Sequence, residues 1–170
     1  YSNVRASFDH LDGYLTLFTP LHRRLYRKET EISGKEIAQF LHGLFDERFE
    51  RHGIDFTVTD AFSRKTVVGY PSSYYPVFVN LVDNAAFWVK DRSERRIALD
   101  ADEHSFVVWD TGPGIPERDR EQVFEFGFSR KPNGRGMGLH ISRSAAENRL
   151  RTGFGAVRLR KGRRISPVVG

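Results

Sequence analysis

The chain has 170 residues, 39% of them hydrophobic, which allows one packed core with a short additional element and excludes two full domains. It has no cysteine, so a disulfide framework and a thiolate metal site are excluded, and no apolar run approaches the roughly 18 residues of a membrane span. The net charge of +5 suits nucleic acid, acidic lipid or a phosphorylated small molecule, and does not by itself choose among them. Because no zinc-finger spacing and no aromatic-rich signature for single strands accompanies the basic clusters, we rank nucleic acid below a phosphate ligand and expect no nucleic-acid partner.

The first predicted element is an amphipathic helix that ends near Pro20. Phe8, Leu11, Leu15 and Phe18 recur at helical spacing, and Pro20 bends or ends this pattern. A single helix with one apolar stripe needs a partner that covers the stripe.

The second predicted helix contains IAQFLHGLFDERF, between a turn at Ser33-Gly34 and a stop at His52-Gly53. IDFTVTD alternates as a strand, TVVGYP is a short strand that enters a turn, and SSYYPVFVNLVDNAAFWVKD is a helix. RRIALDAD and SFVVWDTG predict the two strands of a hairpin, joined by an acidic turn.

After the hairpin, RDREQVFEFGF predicts a short helix within a loop, GLHISRSAAENR a final helix, and AVRLRKG a strand. Helices and strands mix without a regular βαβ alternation. The sequence therefore predicts an α+β fold, that is, an α/β sandwich with a mixed sheet, and not a doubly wound parallel sheet.

Two asparagines in NLVDNAAFW lie one turn apart on the third predicted helix. Asn80 and Asn84 share one helical face, and Leu81, Ala85 and Trp88 form the neighbouring stripe. The amides mark either a solvated face or a half-buried polar site, and the apolar residues around them favour the second. An amide oxygen is a ligand that Mg²⁺ accepts when phosphate oxygens and water complete its shell.

The strand in VVWDTGPGIP ends in the carboxylate of Asp110, and the chain then turns through Gly112 and Gly114. Glycines at these positions let the backbone approach a flat ligand closely. The same letters also describe an ordinary exit from a strand into a turn, so this motif alone does not decide between the two.

The third motif, VFEFGFSRKPNGRGMGLH, places an aromatic cluster before a basic loop and three glycines that precede a helix. The glycines indicate either a flexible loop or a backbone that closes around an anion at the helix N-terminus, where the dipole favours negative charge. Lys131 or Arg135 is placed to reach a phosphate.

In sequence order, NLVDNA, DTGPGI, VFEFGFSRK and GRGMGL resemble the N, G1, F and G2 boxes of the ATP-binding domain of sensor histidine kinases, in the wider family of the gyrase B, Hsp90 and MutL ATPases. The resemblance covers about residues 31–160. It implies a Bergerat-type fold, with a mixed, mostly antiparallel sheet covered on one face by helices. It also implies binding of ATP and Mg²⁺ and transfer of the γ-phosphoryl group to a histidine, for relay to a response regulator.

Carried over by position, the resemblance implies that Asn84 coordinates Mg²⁺ and that Asp110 accepts a hydrogen bond from the exocyclic amine of adenine. Gly112 and Gly114 would let the backbone approach the base and sugar. Trp88 falls where the family often places an aromatic ring against adenine.

Asn80 and Lys131 carry the implied catalytic roles. ATP-hydrolysing relatives have a glutamate at the position of Asn80, and an amide cannot act as a general base for water. The resemblance therefore favours transfer to an acceptor that brings its own nucleophile, such as an imidazole. Phosphate contacts are implied for Lys131, Gly134, Gly136, Gly138 and Leu139.

Two features depart from the family pattern. Many members have Lys or Arg three residues after the metal-binding asparagine, but Phe87 stands there, so Lys90 or Lys131 would have to compensate. The usual last strand of the fold is expected to be missing, since the chain stops at Gly170.

We expect residues 1–28 to be the end of a helical hairpin for dimerisation and phosphotransfer, and residues 29–170 to be the catalytic ATP-binding domain. The resemblance implies a homodimer of the full-length protein, with the phosphoacceptor helix on its own or the partner protomer. His10 is followed by Leu11 and not by the typical Glu or Asp, so we expect the acceptor outside this chain. The segment is expected to be cytoplasmic, and the full-length protein could be anchored in a membrane.

Three alternatives keep the nucleotide site and change the function. They are an ATP-gated conformational switch, a serine kinase that acts on a regulatory partner, and a degenerate module that signals by docking alone. Asn80 argues against the switch, the N-terminal helix argues against the serine kinase, and Phe87 is the only feature that favours the degenerate module.

Overall fold

The computed structural model describes residues 28–119, Gln122, Glu125 and 156–161. In chain order the elements are β1 (Thr30–Ser33), α1 (Gly34–His52), β2 (Asp55–Val58), α2 (Asp60–Arg64), β3 (Thr66–Gly69), α3 (Pro71–Val89), β4 (Arg96–Ala101), β5 (Ser105–Asp110), a short 3₁₀ helix (Glu117–Asp119) and β6 (Ala156–Lys161). None of the helices in this part of the chain is both long and apolar enough to cross a membrane. The predicted first and last helices lie outside the described residues.

Helix α1 begins and ends where its local sequence predicts. The Ser33 hydroxyl accepts a hydrogen bond from the Glu36 N–H at 3.2 Å, and the Glu36 carboxylate accepts one from the Ser33 N–H at 2.9 Å, which forms a capping box. At the other end, Gly53 has a φ of 60°, a left-handed conformation that glycine adopts without strain. The residues that α1 buries are Gly34, Ile37, Ala38, Leu41, Phe45 and Phe49.

Four strands form a mixed sheet in the order β2–β4–β5–β6, and β1 pairs with β3 in a separate antiparallel ribbon. Strands β4 and β5 form the predicted antiparallel hairpin, with Ile97 opposite Asp110. The other two pairs of the sheet, β2 with β4 and β5 with β6, are parallel. The sheet is mixed as predicted, but antiparallel pairing does not predominate in its described strands, because both parallel pairs are joined by long crossovers and not by hairpins.

The sequence does not predict two of the short elements, β1 and α2. Strand β1 has four residues and buries only Ile32, and helix α2 has five residues and buries only Phe62. Segments this short contain too few repeats of the hydrophobic pattern for a strand or a helix to be recognised from the sequence. Strand β1 forms because β3, which follows α1 and α2 in the chain, provides its pairing partner.

The helices cover one face of the four-stranded sheet. Ile97 and Leu99 of β4 alternate toward this face and join a single core with buried residues of α1, α3 and β5. At its centre the rings of Phe62, Phe78 and Phe106 pack against one another, with centroids 4.9, 5.5 and 5.8 Å apart. This packing fixes α3 against β4 and β5, and the ends of α3 and β5 carry the predicted site residues.

Candidate functional site

Strand β5 ends at Asp110, whose half-buried carboxylate begins the turn into Gly112. The Gly112 N–H donates a hydrogen bond to Asp110 Oδ1 at 2.7 Å, which holds one carboxylate oxygen against the turn. Burial raises the pKa of Asp110 above its ordinary value of 3.8, while the hydrogen bond from Gly112 acts in the opposite direction. The second carboxylate oxygen can accept a further hydrogen bond from an N–H group.

Gly112 brings this turn against the C-terminal end of α3. A Cβ added to Gly112 would lie 3.2 Å from the Trp88 Cβ and 2.6 Å from Asp110 Oδ1, so it would fit only if the Asp110 carboxylate rotated and Trp88 shifted slightly. Gly114 needs glycine for a different reason, because its φ of 71° is left-handed. Trp88 is 37% exposed, which leaves ring surface available to a flat ligand. Trp88 and Asp110 therefore both lie next to Gly112.

Thr111 links the end of β5 to the start of β4, and sequence reasoning missed it. Its N–H donates to the Arg96 carbonyl at 3.1 Å. Its hydroxyl donates to the Glu94 carbonyl at 2.7 Å and accepts from the Arg96 N–H at 3.0 Å. Threonine is common in and beside strands, so no pattern in the sequence would have singled it out.

The polar face of α3 carries Asn80 and Asn84, and both side chains are half-buried. Asp83 lies between them and pairs with Arg48 of α1, with Oδ1 and Nη1 2.6 Å apart. Asn80 interacts with other groups of the protein, whereas the Asn84 amide has no hydrogen-bond partner among the described residues. Asn84 is therefore the asparagine whose amide oxygen is available to a ligand.

Phe87 lies one turn after Asn84, at the position where the family pattern has a cation. Trp88 packs edge-on against Phe87, with ring centroids 5.0 Å apart and an interplanar angle of 87°. The Lys90 ammonium lies over the Phe87 ring, 4.8 Å from its centroid, and the Lys90 side chain is 33% exposed. Asp91 Oδ2 is 4.0 Å from that ammonium, too far for a hydrogen bond. The Lys90 ammonium therefore covers the ring of Phe87, the residue that stands where many family members have Lys or Arg.

The described side chains limit how a metal ion could be held at this site. In the part of the chain that the structure describes, no group of three or more His, Cys, Asp or Glu side chains could hold a metal ion. Mg²⁺ needs only one or two protein ligands when substrate phosphates and water complete its octahedral shell. The half-buried Asn84 amide fits that use.

Five predicted phosphate contacts lie outside the described residues: Lys131, Gly134, Gly136, Gly138 and Leu139. Their roles stay predictions. The described part of the site contains the groups predicted for the base, the sugar and the metal, which are Asp110, Trp88, Gly112, Gly114 and Asn84.

Two family profiles match the chain. Residues 69–166 match the family described as histidine kinase-, DNA gyrase B-, and HSP90-like ATPase, and this match covers more than half of the chain. Residues 1–27 match the HEF_HK domain. The first match includes the whole of α3 from Pro71 and the turn after β5.

Individual proteins are similar over the same region. The sensor protein PhoQ of Escherichia coli strain K12 is 32% identical over 136 aligned residues, which cover 75% of this chain and 27% of PhoQ. The catalytic domain of the histidine kinase ThkA is 30% identical, with a TM-score of 0.60 over 71% of this chain and 81% of that domain. A structure of ThkA in complex with the response regulator TrrA is 22% identical, with a TM-score of 0.58 over 85% of this chain and 42% of that one, and shows the fold alone. The chain thus spans about a quarter of the length of PhoQ.

Proposed function

Because this chain belongs to the family of histidine kinase-, DNA gyrase B- and HSP90-like ATPases, we propose that it is the catalytic ATP-binding domain of a histidine protein kinase. It has the fold of histidine kinase catalytic domains. One observation carries the proposal: Gly112 holds the half-buried acceptor Asp110 beside the exposed ring of Trp88. This arrangement suits a flat base that donates an N–H at its edge.

Adenine has both properties. Its exocyclic amine can donate to the second oxygen of Asp110, a bond to a charged group that contributes about 1.5–3 kcal/mol, and its face can pack against Trp88. Guanine presents a carbonyl at the same position, so the carboxylate disfavours it. Gly112 and Gly114 let the backbone lie close to the base and sugar.

The phosphates are proposed to lie along the polar face of α3. Asn84 offers a neutral amide oxygen to Mg²⁺, and the metal, when bound, neutralises charge on the phosphate oxygens. Lys90 supplies a positive charge, because its ammonium is held over the ring of Phe87, which lies one turn beyond Asn84. Further contacts are proposed for the residues of the glycine-rich segment, which are Lys131, Gly134, Gly136, Gly138 and Leu139.

In the proposed reaction, a histidine nitrogen of the acceptor forms a bond to the γ-phosphorus, and the bond from that phosphorus to the oxygen shared with the β-phosphate breaks. ADP leaves with the electron pair. Positioning and charge neutralisation dominate this chemistry, so an acceptor with its own lone pair needs little further activation. Asn80 is an amide and cannot take a proton from water, which disfavours hydrolysis. Lys131 is proposed to neutralise charge on the transferred group.

The acceptor histidine and the final receiver of the phosphoryl group are proposed to lie outside residues 1–170. Residues 1–28 would end a hairpin for dimerisation and phosphotransfer, so the proposed working unit is a homodimer. Its catalytic domain would be cytoplasmic. ThkA, whose catalytic domain is 30% identical to this chain, is a histidine kinase that was solved with a response regulator, which supports a partner of the same class.

The test is to incubate the complete gene product with γ-labelled ATP and Mg²⁺ and to expose any labelled protein to acid and to base. Label that acid removes and base preserves would identify phosphohistidine, and Asn84→Ala is the negative control. Free phosphate without labelled protein would contradict the kinase and favour an ATP-gated switch. Acid-stable label would favour a serine kinase, and ATP binding without either product would favour the docking module.

A further inference from the structure

Thr111 takes part in a closed ring of contacts around the candidate base site. From Trp88 the chain runs through a loop to Glu94, whose carbonyl accepts a hydrogen bond from the Thr111 hydroxyl at 2.7 Å. Gly112, the residue after Thr111, lies against Trp88: a Cβ added to Gly112 would be only 3.2 Å from the Trp88 Cβ. The end of α3 and the end of β5 are thus tied together at two points.

The Thr111 hydroxyl also ends the ladder between β4 and β5. In an antiparallel hydrogen-bonded pair, each residue donates its N–H to the backbone carbonyl of the other. Thr111 donates its N–H to the Arg96 carbonyl at 3.1 Å, but the Arg96 N–H donates to Thr111 Oγ1 at 3.0 Å and not to the Thr111 carbonyl. Because the side chain satisfies Arg96, the backbone after Thr111 is free to turn toward Trp88.

We propose that Thr111 is a positioning residue whose hydroxyl sets the selectivity of this site for adenine over guanine nucleotides. This role rests on the proposed function, because it assumes that Asp110 receives the base. A carboxylate discriminates between donors and acceptors only where its distance and angle to the base are fixed. Asp110 is fixed on its C-terminal side by the turn that Thr111 anchors and by the bond from the Gly112 N–H.

Loss of the hydroxyl would leave the Arg96 N–H and the Glu94 carbonyl to find other partners. The backbone carbonyl of Thr111 is the nearest substitute for Arg96, and its rotation into the ladder would redirect Gly112. Asp110 Oδ1 would then lose the geometry of its bond from Gly112. The adenine contact would weaken, whereas a guanine nucleotide, which the carboxylate does not favour, would lose little.

Two substitutions separate the hydroxyl from the shape of the side chain. Thr111→Val keeps the branched shape and removes the hydroxyl, and Thr111→Ser keeps the hydroxyl. Thr59→Val is a matched control, because the Thr59 hydroxyl donates to Asp100 Oδ1 at 2.7 Å and accepts from the Phe62 N–H at 3.1 Å. Thr59 is also half-buried, but it lies near the opposite end of β4 from Arg96, about 13 Å along the strand.

Calorimetry on the 170-residue chain would measure the affinities for ATP and GTP, and thermal unfolding would measure stability. We expect Thr111→Val to weaken ATP binding about tenfold and GTP binding less than about twofold, since one charge-assisted hydrogen bond is misplaced. Thr111→Ser should keep an ATP-to-GTP ratio close to that of the wild type. Thr59→Val should lower the unfolding temperature as Thr111→Val does, with no change in that ratio.

An unchanged ATP-to-GTP ratio in Thr111→Val, including equal weakening of both nucleotides, would overturn the positioning role and leave only a structural one. A wild-type chain that shows no preference for ATP over GTP would instead overturn the proposed function, so the two failures are distinguishable. If Thr111→Val does not fold, Thr111→Ala, measured below its unfolding temperature, provides the same comparison with the same two outcomes.

Discussion

Gly112 lies against Trp88 so closely that an added Cβ would be 3.2 Å from the Trp88 Cβ. The two residues belong to different elements, since Trp88 is in the last turn of α3 and Gly112 follows β5. Their contact brings the exposed indole ring and the carboxylate of Asp110 to the same end of the sheet. The candidate base site therefore depends on a glycine at position 112, because a side chain there would displace the Asp110 carboxylate.

Gly112→Ala is expected to weaken both ligand binding and folding. The new methyl group would lie 2.6 Å from Asp110 Oδ1, so the carboxylate must rotate away from the Gly112 N–H. ATP affinity should fall about tenfold or more, and the free energy of unfolding should fall by about 1–3 kcal/mol. Calorimetry and urea unfolding measure these two effects.

Gly43→Ala is the control for this change. Gly43 is an exposed residue of α1, and nothing lies within 4 Å of an added Cβ. It should raise the free energy of unfolding by about 0.5–1 kcal/mol, because alanine favours a helix interior over glycine, and it should leave ATP binding unchanged. Equal ATP affinities in the two alanine variants would remove Gly112 from the nucleotide site.

Asp110→Asn should weaken ATP binding about tenfold or more, because the exocyclic amine loses a charged acceptor. The amide oxygen can still accept from the Gly112 N–H, so the turn should keep its shape. Titration of ATP and of GTP by calorimetry would measure the change. An unaltered ATP affinity would show that Asp110 does not receive the base.

The stability of the protein should depend on pH through the same residue. Burial raises the pKa of Asp110, so the folded state binds its proton more tightly than the unfolded chain does. The resulting stability is fully present below the ordinary pKa of 3.8 and is lost as the pH rises through the raised value. Asp110→Asn should therefore be more stable than the wild type at neutral pH. Urea unfolding should show that difference shrink as the pH falls toward the ordinary pKa, and a constant difference would contradict the burial effect.

Asn84→Ala should reduce the Mg²⁺ dependence of ATP binding. The Asn84 amide has no hydrogen-bond partner in the described part of the chain, so its removal should cost little stability. We expect the ratio of ATP affinities with and without Mg²⁺ to fall about tenfold. Asn80→Ala provides a contrast, because Asn80 interacts with the protein and its loss should lower stability by about 1 kcal/mol. A normal magnesium ratio in Asn84→Ala would argue against its role as a metal ligand.

Lys90→Gln should weaken ATP binding about threefold to tenfold and leave adenosine binding unchanged, because only ATP carries the phosphates that the ammonium would contact. Lys35→Gln is the control, since it removes the same charge from an exposed position at the start of α1. Equal effects of the two substitutions on ATP would indicate general electrostatic attraction. Equal effects of Lys90→Gln on ATP and adenosine would place Lys90 away from the phosphates.

Elements that depend on neighbours in the chain could be predicted. The limits of α1 follow from Ser33, Glu36 and Gly53, which satisfy the helix ends locally. The hairpin of β4 and β5 could be predicted because its strands are adjacent and its turn is short. Strand β1 and the parallel pairing of β2 with β4 could not, because each depends on a strand that is distant in the sequence.

The sequence by itself determined which chemical groups the candidate site contains: an amide on a helix at Asn84, a carboxylate at a strand end at Asp110, and glycine after it. Only the tertiary structure decided that Gly112 lies against Trp88 and that the Thr111 hydroxyl ends the ladder. A sequence pattern reports periodicity and local caps. Distances between a helix and a strand end depend instead on how α3 packs over the sheet, and that packing is a property of the whole core.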